Sequence, residues 1–475
     1  MDYPIWQVPY LGGAMVIALV AIIHVFIAHF AVGAGIFNAL TETFALRRNE
    51  ETLRQFLRDN SKLIILLPFI GGAVTGVGIW FSIALVSPDA TGFLIHLFLW
   101  GWAIEWVFFL VEIVSGYVYY YSWGRISHAL HCLLGWIYAA AAFLSLVVIN
   151  GILSFMLSPA GLDSSQRPMV FDFWTALFNP TYGPSLVLRT ISALALAALF
   201  AMVLVNAARK YNQPQRDIVV QHAGRYLLPL ILMVPAAFWY FLRVPAQSIF
   251  YIKGGAIAMT LLFAFGLAAS TLIGLYSYGA IILRRRTVNL ETAVLLLAIA
   301  LVATGSSEFV REGMRKPYLI WDHMYSNGML KAQVPAMNAK IANQPAAQAS
   351  ALQFSRWAIQ PNDVPPNDIQ PNDTGMSDDD FINFDGDVIA ELRKTNNGRT
   401  KLGRWLYNAQ CLRCHTITGY NAMRPLVYDW SETMIDDALK QLDKVKPFMP
   451  PFVGSDADRK DLTAYLYRLH NPNQR

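Results

Sequence analysis

Apolar residues fill long, nearly unbroken stretches of this chain, near 11–38, 62–87, 96–122, 129–157, 185–208, 224–242, 250–283 and 289–305. A helix needs about 20 mostly apolar residues to cross a bilayer, and only the last stretch is near the short end of that requirement. The pattern predicts about eight membrane-spanning helices. Hydrophobicity collapses after residue 330, where "IQPNDVPPNDIQPNDTGMSDDDF" repeats Pro-Asn-Asp at 361–363, 366–368 and 371–373. Proline blocks helix, and Asn and Asp favour turns, so this stretch reads as an extended linker or a strap lying on a partner surface. From about residue 398 "GRTKLGRWLYNAQCLRCH" reads as a helix, and "SDADRKDLTAYLYRL" reads as a closing amphipathic one. The expected fold is all-α: a polytopic transmembrane bundle of about eight spans over 1–306 and an exported segment over 307–330. A Pro/Asn/Asp-rich linker over 331–395 and a small α-helical domain over 396–475 follow.

Composition agrees with that division. Hydrophobic residues are 55% of the 475 and charged residues 15%, a membrane composition that makes the lipid bilayer the first partner. Positive charge gathers in alternate loops: Arg47, Arg48, Arg54, Arg58 and Lys62; Arg125; Arg209, Lys210 and Arg216; and Arg284, Arg285 and Arg286. Lys and Arg resist translocation, so these loops should face the cytoplasm, leaving both termini and everything after about residue 306 outside. The first apolar stretch follows no basic segment or small-residue cleavage site, so it reads as a retained helix and not a cleaved signal. The net charge of +5 is accounted for largely by these loops and gives no argument for nucleic-acid binding.

The exported domain carries the sharpest chemistry. Cys411, Cys414 and His415 form Cys-x-x-Cys-His, in which two cysteines one turn apart can take thioether bonds while the adjacent imidazole reaches an iron. A covalent heme c is the reading; a zinc knuckle or a stray disulfide is the alternative, weakened because the third cysteine, Cys132, lies in a membrane segment. A six-coordinate heme needs a second axial ligand, and Met449 in the proline-braced "KPFMPPF" supplies a thioether. Met434 is the rival, in a helical pattern where core packing is the expected role. Residues 396–475 resemble the small class I cytochromes c, chiefly in the Met-Pro-Pro-Phe segment and the closing helix. Heme attachment outside the cytoplasm agrees with the orientation from the loop charges, a multi-pass protein of a bacterial inner membrane with this domain in the periplasm.

Ionisable residues inside apolar helices are costly unless paired, ligated or wet. The first stretch holds His24 and His29, five residues apart and hence on different faces, so at most one serves a given iron. The third holds Glu105 and Glu112, seven apart on one face, a separation suited to successive stations of a proton path. Glu308, Arg311, Glu312 and Arg315 follow the eighth. The bland alternatives are carboxylates bonded to polar neighbours in a bundle core and a histidine bonded across helices. Cys132 and His131 read as packing residues.

The stretches "ALVAIIHVFIAHFAVGAGIFNALTETF", "GGAVTGVGIWFSIAL", "WAIEWVFFLVEIVSGYVYYYSWGRISHALHC", "VVINGILSFMLSP" and "REGMRKPY" resemble the heme-bearing subunit I of the cytochrome bd quinol oxidases. The resemblance implies His24 as ligand of one high-spin heme and Glu312, in a Glu-x-x-Arg-x-Pro motif with Arg315, as the residue serving its neighbour. It also implies Glu105 and Glu112 in proton delivery. Where that family holds a low-spin heme b with a helix-five histidine and a helix-seven methionine, this chain has Arg189 and a glycine near Met259, and the quinol-site loop shrinks to about "RVPAQS". Arginine stays protonated and cannot ligate iron, so the low-spin heme and quinol inlet are expected to be absent. The implied function is a membrane respiratory oxidoreductase subunit in which heme c replaces the lost heme as electron port, most simply an oxygen reductase fed by a periplasmic cytochrome or other donor. It would carry one or two non-covalent hemes of b or d type and sit beside a second membrane subunit and other respiratory-complex subunits. Two alternatives stand beside it: an electron-transfer subunit linking heme c to the quinone pool, and a heme-free membrane anchor for the cytochrome domain.

Overall fold

The computed structural model describes residues 6–163, 170–354 and 385–469; the Pro-Asn-Asp repeats lie outside them. Among the described residues, eight segments are long and apolar enough to cross a membrane. The first is α1 (Gly13–Arg48), which ends where Asn49 turns left-handed and its N–H caps Ala45. The second runs through α2 (Glu51–Ile65), a π-helical turn at Leu66–Gly72 and α3 (Ala73–Val86). After a short α4 (Pro88–Leu97) come α5 (Leu99–Tyr121) and α6 (His128–Phe155). A two-stranded ribbon, β1 (Leu162–Asp163) with β2 (Val170–Phe171), and α7 (Phe173–Leu177) lead into α8 (Tyr182–Ala207).

The sixth span opens with a capping box at Asn212 and Gln215, then passes through α9 (Gln213–Gly224), a 3-10 stretch around Pro229 and α10 (Met233–Phe241). A five-residue α11 (Ala246–Phe250) occupies the shortened connection to α12 (Ile257–Tyr276), and α13 (Leu290–Gly313) completes the bundle. Phe30, Phe37, Leu196, Leu199, Met202 and Leu227 form the heart of the largest core, where α1 meets α8 and the sixth span. Close approach of α1 and α8 requires glycine at position 33, since a Cβ there would collide with the main chain of Ala193.

Beyond α13, β3 (Tyr318–Ile320) and β4 (Met324–Tyr325) form an antiparallel hairpin. The stretch expected to be linker from 331 begins with folded structure: a 3-10 turn, α14 (Val334–Ala342) and a second 3-10 turn at Ala351–Phe354. It folds because the helical domain offers it partners. Asp458, buried at the start of the closing helix, accepts from the Ser350 hydroxyl at 2.6 Å and the Ala351 N–H at 2.8 Å, and Arg393 donates to the carbonyls of Ala347 and Ala349. The domain itself consists of α15 (Gly386–Arg393), α16 (Asn396–Gln410), α17 (Met423–Leu426), α18 (Glu432–Lys440), α19 (Leu442–Val445) and α20 (Asp456–Arg468). Its core joins Leu402, Leu406, Tyr407, Leu462 and Leu466 to Ile341 and Leu352 of the preceding stretch.

This domain is seated on one end of the bundle. Tyr420 N–H donates to the Tyr10 carbonyl at 2.5 Å, Arg413 pairs with Asp89 at 2.7 Å, and Phe448 stacks on Tyr251 with ring centroids 4.3 Å apart. All three membrane-domain partners lie on the connections opposite the arginine-rich loops, so the chain alternation alone separates the small domain from the positive end.

Candidate functional site

The attachment motif sits at the C-terminus of α16, where the last helical turn continues through the cysteines: Cys411 N–H bonds Tyr407 O at 2.8 Å and His415 N–H bonds Cys411 O at 3.0 Å. One turn of chain thus presents both thiols and the imidazole together. His415 Nδ1 lies 3.0 Å from the Asn421 carbonyl, which can only accept. The proton is therefore on Nδ1, and Nε2 is the nitrogen open to iron. Burial lowers the pKa of His415, opposed by the Asn421 bond and assisted by nearby Lys316, so the ring is neutral and ligand-competent. These residues fit a covalent heme c. Met449 is half-buried in the loop that Phe448 and Pro447 pin to Tyr251, whose hydroxyl donates to Pro447 O at 3.1 Å. Met434, expected in the core, lies instead at 51% exposure on the free face of α18. The amphipathic face of that helix turns Ile435 and Leu439 inward and leaves Met434 out.

Within the bundle His24 of α1 meets Thr75 of α3, Nδ1 to Oγ1 at 3.0 Å. The Thr75 hydroxyl spends its single proton on Gly71 O at 2.7 Å, so it accepts from His24, and Nε2 of His24 is left as the lone-pair nitrogen. Gly76 keeps the ring's edge clear, since a Cβ there would stand 3.3 Å from His24 Cε1. That chemistry fits an axial imidazole for a non-covalent heme. His29, on another face, is buried and donates from Nδ1 to Val25 O at 2.7 Å.

The acidic residues near the end of α13 divide. Glu308 is largely buried, with 13% of its side chain exposed, and held by Arg189 of α8 at 3.1 Å and by Arg311 at 2.8 Å, with His29 and Tyr240 in the same electrostatic cluster. Glu312, the motif glutamate, is 43% exposed and pairs with Arg315 and, at 3.7 Å, with Lys316. Arg315 is buried and also donates to Leu319 O. Arg189 therefore serves as the counter-ion of Glu308, and Met259 packs into an apolar cluster with Tyr251, Val310 and Met314 onto which Phe448 closes.

Glu105 and Glu112 lie along the α5–α6 interface. Glu105 accepts from Ser145 at 2.9 Å, and buried Glu112 is the electrostatic neighbour of Tyr138. His131, which the sequence reading assigned to packing, completes this face together with Glu42 of α1: the buried Glu42 carboxylate accepts from Tyr119 at 3.0 Å and binds His131 Nδ1 at 2.6 Å. Cys132 Sγ hydrogen-bonds the Thr43 hydroxyl at 3.2 Å. Glu42 and His131 are 89 residues apart, and the only local signal for the pair was an acid inside an apolar helix.

Comparison with known proteins bears on both halves. Residues 14–241 match the family model of cytochrome bd terminal oxidase subunit I, and residues 398–466 match that of cbb3-type cytochrome c oxidase subunit III. Among solved structures, bd oxidase from Geobacillus thermodenitrificans superposes with a TM-score of 0.52 at 16% identity, over 64% of this chain and 86% of that one, a likeness of fold. No curated protein matches the chain. The chain is thus similar to cytochrome bd subunit I over residues 14–241 and to a cytochrome c subunit over residues 398–466, a combination that implies heme binding and suggests respiratory electron transfer.

Proposed function

We propose that this membrane protein is a bd-like oxidoreductase subunit that passes electrons from a periplasmic donor through heme c to a high-spin heme in the bundle, most simply for oxygen reduction. The observation that carries the reading is the seating of the attachment motif. Arg413, one of the two residues between the cysteines, is anchored to Asp89 at 2.7 Å, and His415 has Lys316 as a charged neighbour. Lys316 in turn pairs with Glu312. The edge of the small domain that would hold heme c is therefore turned onto the end of α13 and not toward solvent.

The hemes would supply the one-electron chemistry; the chain's residues hold and insulate them. Cys411, Cys414, His415 and Met449 are assigned to heme c, and His24 and Glu312 to one or two membrane hemes of b or d type, with Arg315 holding Glu312 at the site. Glu105 and Glu112 are assigned to proton supply. The Arg189–Glu308 pair where a low-spin heme ligand would stand favours a cytochrome-fed inlet over direct quinol oxidation. A second membrane subunit is expected against the broad apolar faces left open on α5, where Trp100, Trp106 and Val107 are exposed.

The test is a heme inventory of the detergent-solubilised chain: pyridine hemochrome for covalent heme, acid-acetone extraction for the rest, and a reduced-plus-CO spectrum. Non-covalent heme with a CO shift is expected, followed by oxygen uptake with reduced cytochrome. Heme c alone overturns the reading in favour of a scaffold.

A further inference from the structure

The polar residues of α5 and α6 are placed in step. Glu105, Glu112 and Tyr119 recur every seven residues on α5, and His131, Tyr138 and Ser145 recur every seven on α6. Because the helices are antiparallel, they meet pairwise as Glu105 with Ser145, Glu112 with Tyr138, and Tyr119 with His131. Seven helical residues rise about 10 Å, so the three pairs descend the bundle in even steps toward the arginine-rich end.

The lowest pair is joined by Glu42 of α1, and its hydrogen bonds count protons. His131 Nε2 lies 3.0 Å from the Tyr119 carbonyl, which can only accept, so Nε2 carries a proton. Nδ1 lies 2.6 Å from Glu42 Oε1, and one proton is shared between them. Tyr119 donates its hydroxyl to the other carboxylate oxygen at 3.0 Å. The trio is buried, yet one turn back, at the start of α6, the exposed His128 bonds Arg54 of α2 at 2.9 Å. The titratable and charged groups around it are Glu42, Arg47 and Arg48 on α1, Glu51 and Arg54 on α2, Glu112 on α5, His128, Cys132 and Tyr138 on α6, and His222 of α9, bonded to Thr41.

Between this trio and the next pair the helices narrow to glycine. A Cβ at Gly135 would stand 3.1 Å from the Tyr119 ring and 3.7 Å from Glu42 Oε2, and one at Gly116 would stand 3.2 Å from the Tyr138 ring. The Tyr138 hydroxyl, buried in this interval, makes no hydrogen bond that meets ordinary geometry among the described residues.

We propose that Glu42, His131 and Tyr119 form a proton-uptake station at the arginine-rich end of the bundle, feeding Tyr138 and Glu112 above it. This rests on the reading of the bundle as heme-bearing. A proton arriving at His131 protonates the pair, the carboxyl of Glu42 hands a proton to the Tyr119 oxygen, and the hydroxyl proton of Tyr119 moves up toward Tyr138 and Glu112. That departure itself restores the starting state, and the next proton repeats the cycle. No heavy-atom bond changes; each electron delivered from an external ferrocytochrome is compensated by one proton drawn from the opposite side.

The experiment reconstitutes the full chain in vesicles with a trapped pH dye, selects the orientation with the arginine-rich end inside, and reduces it from outside with ferrocytochrome c. Wild type is expected to withdraw protons from the lumen, and Glu42→Gln and Tyr119→Phe to slow that withdrawal at least tenfold, with heme content and heme c reduction unchanged. The redox-difference infrared spectrum should lose a carboxyl C=O band in Glu42→Gln, which a merely structural role would not move. Unchanged uptake in Tyr119→Phe, an all but isosteric change, with every heme present overturns the station alone. Missing non-covalent heme in wild type overturns the heme-bearing reading and the station with it.

Discussion

Thr75 decides which nitrogen of His24 can bind a metal, because its only proton is committed to Gly71 O. Outer partners of this kind are commonly worth 10–100-fold in metal affinity, so Thr75→Val should lower non-covalent heme occupancy by about that factor. His24→Ala should abolish the signal, and both variants should retain heme c, read by pyridine hemochrome; an unchanged spectrum in His24→Ala refutes the assignment. Arg189 bonds Glu308 inside the bundle, and Arg189→Leu leaves that carboxylate with Arg311 alone. A buried charge deprived of a partner is expensive, and a loss of up to about 3 kcal/mol is expected, read as a lower Tm in detergent. Outside the spans, burial lowers the pKa of His323, whose ring stacks on Phe93 at 4.7 Å. The folded state keeps this ring neutral while the unfolded chain protonates it below about its ordinary 6.5, so stability is lost as pH falls through that value. His323→Phe should flatten the decline of Tm between pH 7 and pH 5; a decline as steep as wild type would refute it.

The helices were legible as elements because an unbroken apolar run of spanning length has few other physical outcomes, and the eight expected stretches coincide with eight candidate spans. Their facing sides were not legible. A helix that is apolar all round carries no periodic cue to its packed side, and so Glu308 and Glu312, one turn apart on α13, could not be sorted into buried and exposed from sequence. The pairing of Glu42 with His131 depended on the docking of α1 against α6, which sequence spacing does not encode. At this scale Gly33 is the informative position, because the Ala193 main chain occupies the place of its missing Cβ. Gly33→Ala should push α1 off α8 at a cost of roughly 1–3 kcal/mol. A lowered Tm together with weaker non-covalent heme binding is the expected outcome, whereas a variant as stable as wild type would show that the two helices slide apart freely.

Seating of the cytochrome domain belongs to the whole molecule, and it hangs on few contacts. The expectation of a covalent heme could be drawn from five consecutive residues, but nothing local announced that Arg413, inside that motif, would reach Asp89, 324 residues earlier in the chain. Arg413 is buried and Asp89 is partly exposed, so removing the carboxylate leaves a guanidinium with little else to bond. Asp89→Arg should repel it and undock that edge, while leaving the cysteines, His415 and heme c content untouched. Rapid reduction of heme c by an external donor would then continue, but its reoxidation by the membrane domain should slow at least tenfold. The double variant Asp89→Arg with Arg413→Asp restores the opposite charges in reversed order and should recover most of the rate, since the coupling between two residues in contact is what a double-mutant cycle isolates. A rate indifferent to the single variant would mean that the Tyr420–Tyr10 bond and the Phe448–Tyr251 stack hold the domain close enough, and Phe448→Ala in the Asp89→Arg background would then show the loss that Asp89→Arg did not.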